Sequence, residues 1–274
     1  MRHYFRLQLF LYTVTLFAAA QGLALFVAEQ LSSIRTFAVT PLFDGMGVLY
    51  FLVFFFAVTL FFLILFHVYR GNALYRMVFV ATVFVGLLKL FELVFPVSLS
   101  AIVAIVFILG LFLLPVVWIH DLIVLFAGAG IGAIFGLQFH WSFAVVLLVI
   151  LSLYDIIAVF VTKHMIVLAH ELIKRNCTFA FIIPEHIRQF RAGLMAVQPG
   201  SGFLILGGGD IVLPMFLTAS AYAERPIAGW TAIVGMCFGV LLNHVWLTSS
   251  RAPLPALPFI SMGGIIGAML GFIL

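Results

Sequence analysis

The chain has 274 residues, of which 66% are hydrophobic and 8% charged, with a formal net charge of +4. Soluble globular chains carry about 25% charged residues, so this composition excludes an ordinary soluble domain and implies a polytopic membrane protein built from spans of about twenty residues. The basic excess lies in the connections between apolar runs rather than along one face, which argues against nucleic acid as a partner. The two cysteines, Cys177 and Cys237, supply neither a disulfide framework nor a metal-ligand spacing.

In chain order the hydropathy pattern predicts an all-α protein of nine transmembrane helices. The first span runs over 5–28 behind Arg2 and Arg6; its apolar run continues past the small residues Ala18 to Ala20, which favours an uncleaved anchor over a signal peptide. The second covers 48–68. The third, 77–95, carries Lys89 and Glu92 on one face, read as a mutually neutralising pair. The fourth covers 101–118, and His120-Asp121 connects it to the fifth, 122–137, whose Gly128, Gly130, Gly132 and Gly136 suit close helix packing. The sixth, 143–161, contains Tyr154 and Asp155. A long connection, 162–200, begins with a segment, 165–175, suited to lie along the membrane surface, and continues as a mobile loop with Pro184, Pro199 and Gly200. The seventh span, 201–221, contains Gly207, Gly208, Gly209 and Asp210; the eighth and ninth cover 228–247 and 255–274. This divides the chain into a six-span part (1–161), the loop (162–200) and a three-span part (201–274).

Lys and Arg fall mostly on the side shared by the N-terminus and the even-numbered connections, with Arg35 and Arg225 on the other. The positive-inside rule then places the N-terminus in the cytoplasm and the C-terminus outside.

A carboxylate at membrane depth is costly and marks a functional site. If spans six and seven are helical to their cytoplasmic ends, the 1.5 Å rise places Asp155 about 12 Å deep and Asp210 about 13.5 Å deep. Two facing carboxylates in a low-dielectric site share one proton and titrate as a pair. Such a pair holds a general base for water and a general acid for a peptide carbonyl. Depth alone leaves a second reading open, an ion channel or proton-coupled transporter using the same aspartates. Neither reading calls for a metal or organic cofactor.

Tyr154-Asp155, Gly207-Gly208-Gly209-Asp210 and Pro255-Ala256-Leu257 resemble, in this order, the YD, GxGD and PAL motifs of the presenilin and signal peptide peptidase family of intramembrane aspartyl proteases. The resemblance implies that Asp155 and Asp210 are the catalytic pair, that Gly207 and Gly209 shape the second helix, and that the function is endoproteolysis within transmembrane segments of other proteins. The partners implied are a substrate's transmembrane helix and the lipid bilayer, and a homo-oligomer is compatible with the sequence. The N-in orientation is similar to presenilin. The connection between spans six and seven is short compared with presenilin's, which speaks against autocatalytic activation there.

Pro253, Pro255 and Pro258 push Leu254 and Leu257 toward extended backbone. Pro255-Ala256-Leu257 is therefore expected to hold an unwound substrate by strand-like contacts, the alternative being that these prolines only terminate and cap the helix. Other chemistries fit less well. His170-Glu171 begins an HExxH pattern that Lys174 breaks, and Pro199-Gly200-Ser201-Gly202 lacks the first glycine of a rhomboid-type GxSG. Asn243-His244 reads as a site of interhelical hydrogen bonds.

Overall fold

Apolar runs punctuated by proline and glycine favour helices, which bond every interior backbone group within themselves and so suit a bilayer. The computed structural model describes residues 7–33, parts of 49–65, 71–162, 178–197, 202–249 and 254–274. Its helices are α1 (Leu7–Ser33), α2 (Asn72–Phe91), α3 (Val97–Leu113), α4 (Val117–Leu137), α5 (Trp141–Ile157), α6 (Gly208–Glu224), α7 (Pro226–Ser249) and α8 (Leu257–Ile273). The described parts of 49–65 are helical as well. Among the described residues, five helical stretches (α1, α2, α4, α7, and α5 with the π-helical turn Ala158–Thr162 that continues it) are long and apolar enough to cross a membrane, while α3 and α8 are apolar but shorter. The segment 165–175, Pro199 to Ser201 and Pro253 lie outside the described residues.

Proline opens several of these helices, where a missing N–H breaks no internal bond. Pro226 is the first residue of α7, and Pro258 sits in the first turn of α8. Lys89 and Glu92 form the expected pair at 2.8 Å; partly exposed, it contributes at most about 1 kcal/mol.

Helix α4 is the central element, buried over most of its length. Its glycines give it that place. A Cβ on Gly130 would strike the backbone of Gly86 in α2, and one on Gly136 would lie 2.6 Å from the Cβ of Ala219 in α6. The close packing expected of this glycine stripe is therefore present.

The all-α expectation needs one correction. Residues Ala180–Pro184 (β1) and Phe203–Gly207 (β2) form a two-stranded antiparallel sheet, pairing Ala180 with Gly207 and Pro184 with Phe203. Between them Ile187–Arg191 and Leu194–Ala196 are short 3₁₀ turns, so residues 180–196 are ordered structure rather than the expected mobile loop. The helix of the expected seventh span, α6, starts at Gly208, not Ser201. Phe203 to Gly207 is a short continuous apolar run, a pattern that a buried strand and a helix entering a membrane share.

Two further boundaries move. His120 and Asp121, expected in a connection, are the fourth and fifth residues of α4 and are buried. At the other end of the chain Leu254 and Pro255 are non-helical as expected, but Ala256 has helical dihedrals (φ −85°, ψ −36°) and Leu257 begins α8. Pro258 occupies the second helical position, where proline is tolerated, so it does not extend the residue before it.

Candidate active site

Helices α5 and α6 run antiparallel, and a bond at one end sets their level. The backbone N–H of Trp141, first in α5, donates to Glu224, last in α6, at 3.0 Å. His140 Nε2 lies 3.2 Å from the same carboxylate oxygen. Asp155 comes fourteen residues after Trp141, and Asp210 fourteen residues before Glu224. At 1.5 Å per residue both lie about 21 Å from the tie. They therefore meet at one level. The two aspartates stand level with each other, but the helical 201–209 behind the expected depth of Asp210 is not present: β2 supplies five of those residues at about 3.3 Å each.

The carboxylates are set differently. Asp155, near the C-terminal end of α5, is 6% exposed and accepts a hydrogen bond from the backbone N–H of Leu257. Asp210 is half-buried in the first turn of α6, where the helix dipole favours negative charge, and accepts from the backbone N–H of Gly207. The two are close enough to interact electrostatically. Both line a cavity of about 260 Å³, together with Gly207, Pro255, Ala256 and the residues of β2 from Leu204 to Leu206.

The remaining motif residues, Tyr154, Leu257, Gly208 and Gly209, do not line this cavity. Tyr154 is exposed, and the Leu257 side chain is buried in the core, so that only its amide serves the site. The three glycines have separate surroundings. A Cβ on Gly207 would lie 3.3 Å from Asp210 Oδ2, one on Gly208 would collide with the carbonyl of Phe179, and one on Gly209 would meet nothing nearer than Leu213 Cδ1 at 3.8 Å. Gly208 thus makes room for the chain entering β1, whereas Gly209 is exposed.

In the sequence two cavity residues read as a site of interhelical hydrogen bonds rather than as part of the site. Asn243 and His244 of α7 line it, and the His244 ring lies tilted against Phe10 of α1, ring centroids 5.4 Å apart. Polar residues on an apolar helix were the available signal. A second polar link braces α6 itself: Gln21 Nε2 donates to the carbonyl of Ile211 at 3.0 Å, and Thr218 Oγ1 donates to Gln21 Oε1 at 2.9 Å. Among the described residues no group of three or more His, Cys, Asp or Glu side chains is placed to hold a metal.

The sheet presents one open edge to the same cavity. Ile182 N–H donates to Asp121 Oδ1 at 2.8 Å, so Ile182 faces away from the ladder. In an antiparallel pair the bonded residues alternate; Phe181–Leu206 and Ile183–Leu204 are then the hydrogen-bonded pairs. Phe203, Ile205 and Gly207 consequently direct their backbone groups off the far side of β2, and Gly207 spends its N–H on Asp210. Among the described residues the sheet has two strands.

A model of the family described as signal-peptide peptidase, presenilin aspartyl protease matches residues 14–274. The chain belongs to that family. As a presenilin-type protein it is an intramembrane aspartyl protease, a hydrolase embedded in a membrane. Two solved structures of a presenilin family intramembrane aspartate protease share the fold. The C222 crystal form gives a TM-score of 0.66 at 22% identity, covering 95% of this chain and 97% of that one. The P2 form gives 0.64 at 22% identity, covering 94% and 96%. No curated protein matches the chain.

Proposed function

We propose that Asp155 and Asp210 are the catalytic pair of an endopeptidase that cuts within transmembrane segments of other membrane proteins. The observation that carries this reading is the shared cavity: two carboxylates from different helices open onto one space, bordered by the free edge of β2 and by Pro255-Ala256.

One carboxylate is ionised and takes a proton from water; the other is protonated and donates to the substrate carbonyl oxygen. The water oxygen bonds to the carbonyl carbon and gives a gem-diol. Collapse breaks the C–N bond, and the nitrogen leaves with a proton from the pair. No acyl-enzyme forms. The Leu257 and Gly207 amides orient the carboxylates. Asp210 stands half-buried beside the exposed Gly209, and Asp155 lies deeper.

A helical substrate conceals its peptide groups in internal hydrogen bonds, so it must unwind before attack. The free backbone groups of Phe203 and Ile205 accept an extended segment by strand addition. This assigns to β2 the strand-like contact that the proline-rich segment was expected to make. Pro255 and Ala256 border the cavity and limit its width.

In this reading the chain crosses the membrane nine times, with a cytoplasmic N-terminus, an outside C-terminus and the aspartates nearer the cytoplasmic face. The motif-bearing parts, 1–161 and 201–274, flank a cytoplasmic 162–200. The partner is a substrate's transmembrane helix within the lipid bilayer.

The test is cleavage of a single-span peptide by the purified protein in oxygen-18 water. The expected result is two products, with one labelled oxygen in the new carboxyl group. An intact peptide, together with ion flux in liposomes, would favour the transporter reading instead.

A further inference from the structure

Near its start helix α4 carries two polar residues, His120 and Asp121, that do not line the catalytic cavity. His120 is 3% exposed and Asp121 2% exposed. Burying them at the start of an apolar helix is costly unless they are hydrogen-bonded, and their bonds go to a single target. His120 Nε2 lies 2.8 Å from the carbonyl oxygen of Thr178, and Asp121 Oδ1 accepts the N–H of Ile182 at 2.8 Å. A carbonyl only accepts, so Nε2 carries a proton. The other ring nitrogen, Nδ1, lies 3.5 Å from Asp121 Oδ1.

The Asp121 bond reaches the outer edge of β1, the side opposite β2, and the His120 bond holds Thr178, two residues before that strand. The same end of α4 holds the turn between the strands: Val117 N–H donates to the Ala192 carbonyl at 3.1 Å, and Leu194 N–H donates to the Pro115 carbonyl at 2.8 Å. Along its length α4 also packs on α6 through Gly132 and Gly136. One helix therefore grips the sheet at its beginning and the Asp210 helix further on.

The structure assigns His120 and Asp121 as positioning residues for proteolysis: by fixing β1 they hold the open edge of β2 at the level of Asp210, where an unwound substrate must lie. This rests on the strand-addition reading of the open edge given above. The pair touches neither substrate nor the reacting atoms, and it acts through the sheet.

The geometry separates hydrogen bonding from charge. Asp121→Asn retains an oxygen for Ile182, and His120→Gln retains an N–H for Thr178. Asp121→Leu and His120→Leu remove those groups. Two readouts are taken on the full-length purified protein, hydrogen exchange at Phe181, Ile182, Ile183, Leu204 and Leu206, and cleavage of a single-span peptide. For Asp121→Leu the expected result is exchange faster by about tenfold or more at these amides, with KM raised by about tenfold and kcat within about threefold of wild type. His120→Leu gives the same pattern at smaller size, and Asp121→Asn and His120→Gln stay near wild type.

Unchanged exchange in Asp121→Leu overturns the proposal, as does a fall in kcat at constant KM. So does Asn at 121 proving as damaging as Leu. If neither leucine variant folds, the pair is a folding determinant and the positioning role is also overturned. Exchange is read without substrate. Failure of the protease reading, seen as no cleavage by wild type, is thus distinct from failure of this one.

Discussion

The Trp141 N–H bonds Glu224 at one end of the α5–α6 pair, and Asp155 and Asp210 lie equally far from that bond at the other. The register of the two helices therefore delivers the carboxylates to one level. The bond is exposed, and α6 is held independently by α4, so the tie contributes modestly. Glu224→Leu is expected to cost about 1 kcal/mol by loss of an acidic partner at the start of α5, seen as a small drop in thermal midpoint. Glu224→Gln, which keeps the acceptor, should recover most of it.

At the catalytic end Leu257 serves the site through its backbone while its side chain fills the core. Leu257→Ala should destabilise by about 2–5 kcal/mol through the cavity it leaves and reduce turnover as the amide shifts from Asp155. Leu257→Met, similar in volume, should cost under about 1.5 kcal/mol and retain most activity. Thermal unfolding beside cleavage rates checks both. Turnover unaltered in a destabilised Leu257→Ala protein would show that the amide does not orient Asp155.

Gly208 and Gly209 separate on the same two measurements. Gly208→Ala must displace Phe179 and with it the entry to β1, so thermal stability and activity should both fall. Gly209→Leu starts from an exposed position where a Cβ makes only an ordinary contact with Leu213. Its thermal midpoint should hold while substrate binding weakens. Equal loss of stability in the two variants would contradict this division.

Much of this site is legible in the sequence, because its essential features are chemical exceptions in an apolar chain. Asp155 and Asp210 stand out as isolated charges, Lys89 finds Glu92 through helical spacing, and the glycines of α4 announce close packing. What sequence leaves hidden depends on partners distant along the chain. Phe203 to Gly207 has a hydropathy that suits helix as well as strand, and only its pairing with Ala180 to Pro184 decides. His120 and Asp121 look like a polar connection until Thr178 and Ile182 supply their buried bonds. The proline-rich segment was expected to extend as far as Leu257, yet prolines at the start of a helix are compatible with it, and α8 begins there.

The buried link from α1 to the Asp210 helix gives a further expectation. Gln21→Leu leaves Thr218 without its Gln21 acceptor and Ile211 without its side-chain donor, at a cost of about 1–3 kcal/mol. Denaturation of the purified protein measures it, and an unchanged midpoint would remove Gln21 from the bracing of α6.

The central claim is that Asp155 and Asp210 together perform the hydrolysis. The most direct measurement compares purified wild type with Asp155→Ala and Asp210→Ala on one transmembrane peptide, each protein first shown to be folded. Loss of general acid–base catalysis should lower the rate by about 10²–10⁴-fold in each variant, with the double variant little worse than either, since the carboxylates act as a unit. Cleavage persisting at the wild-type rate in either folded variant would contradict the account.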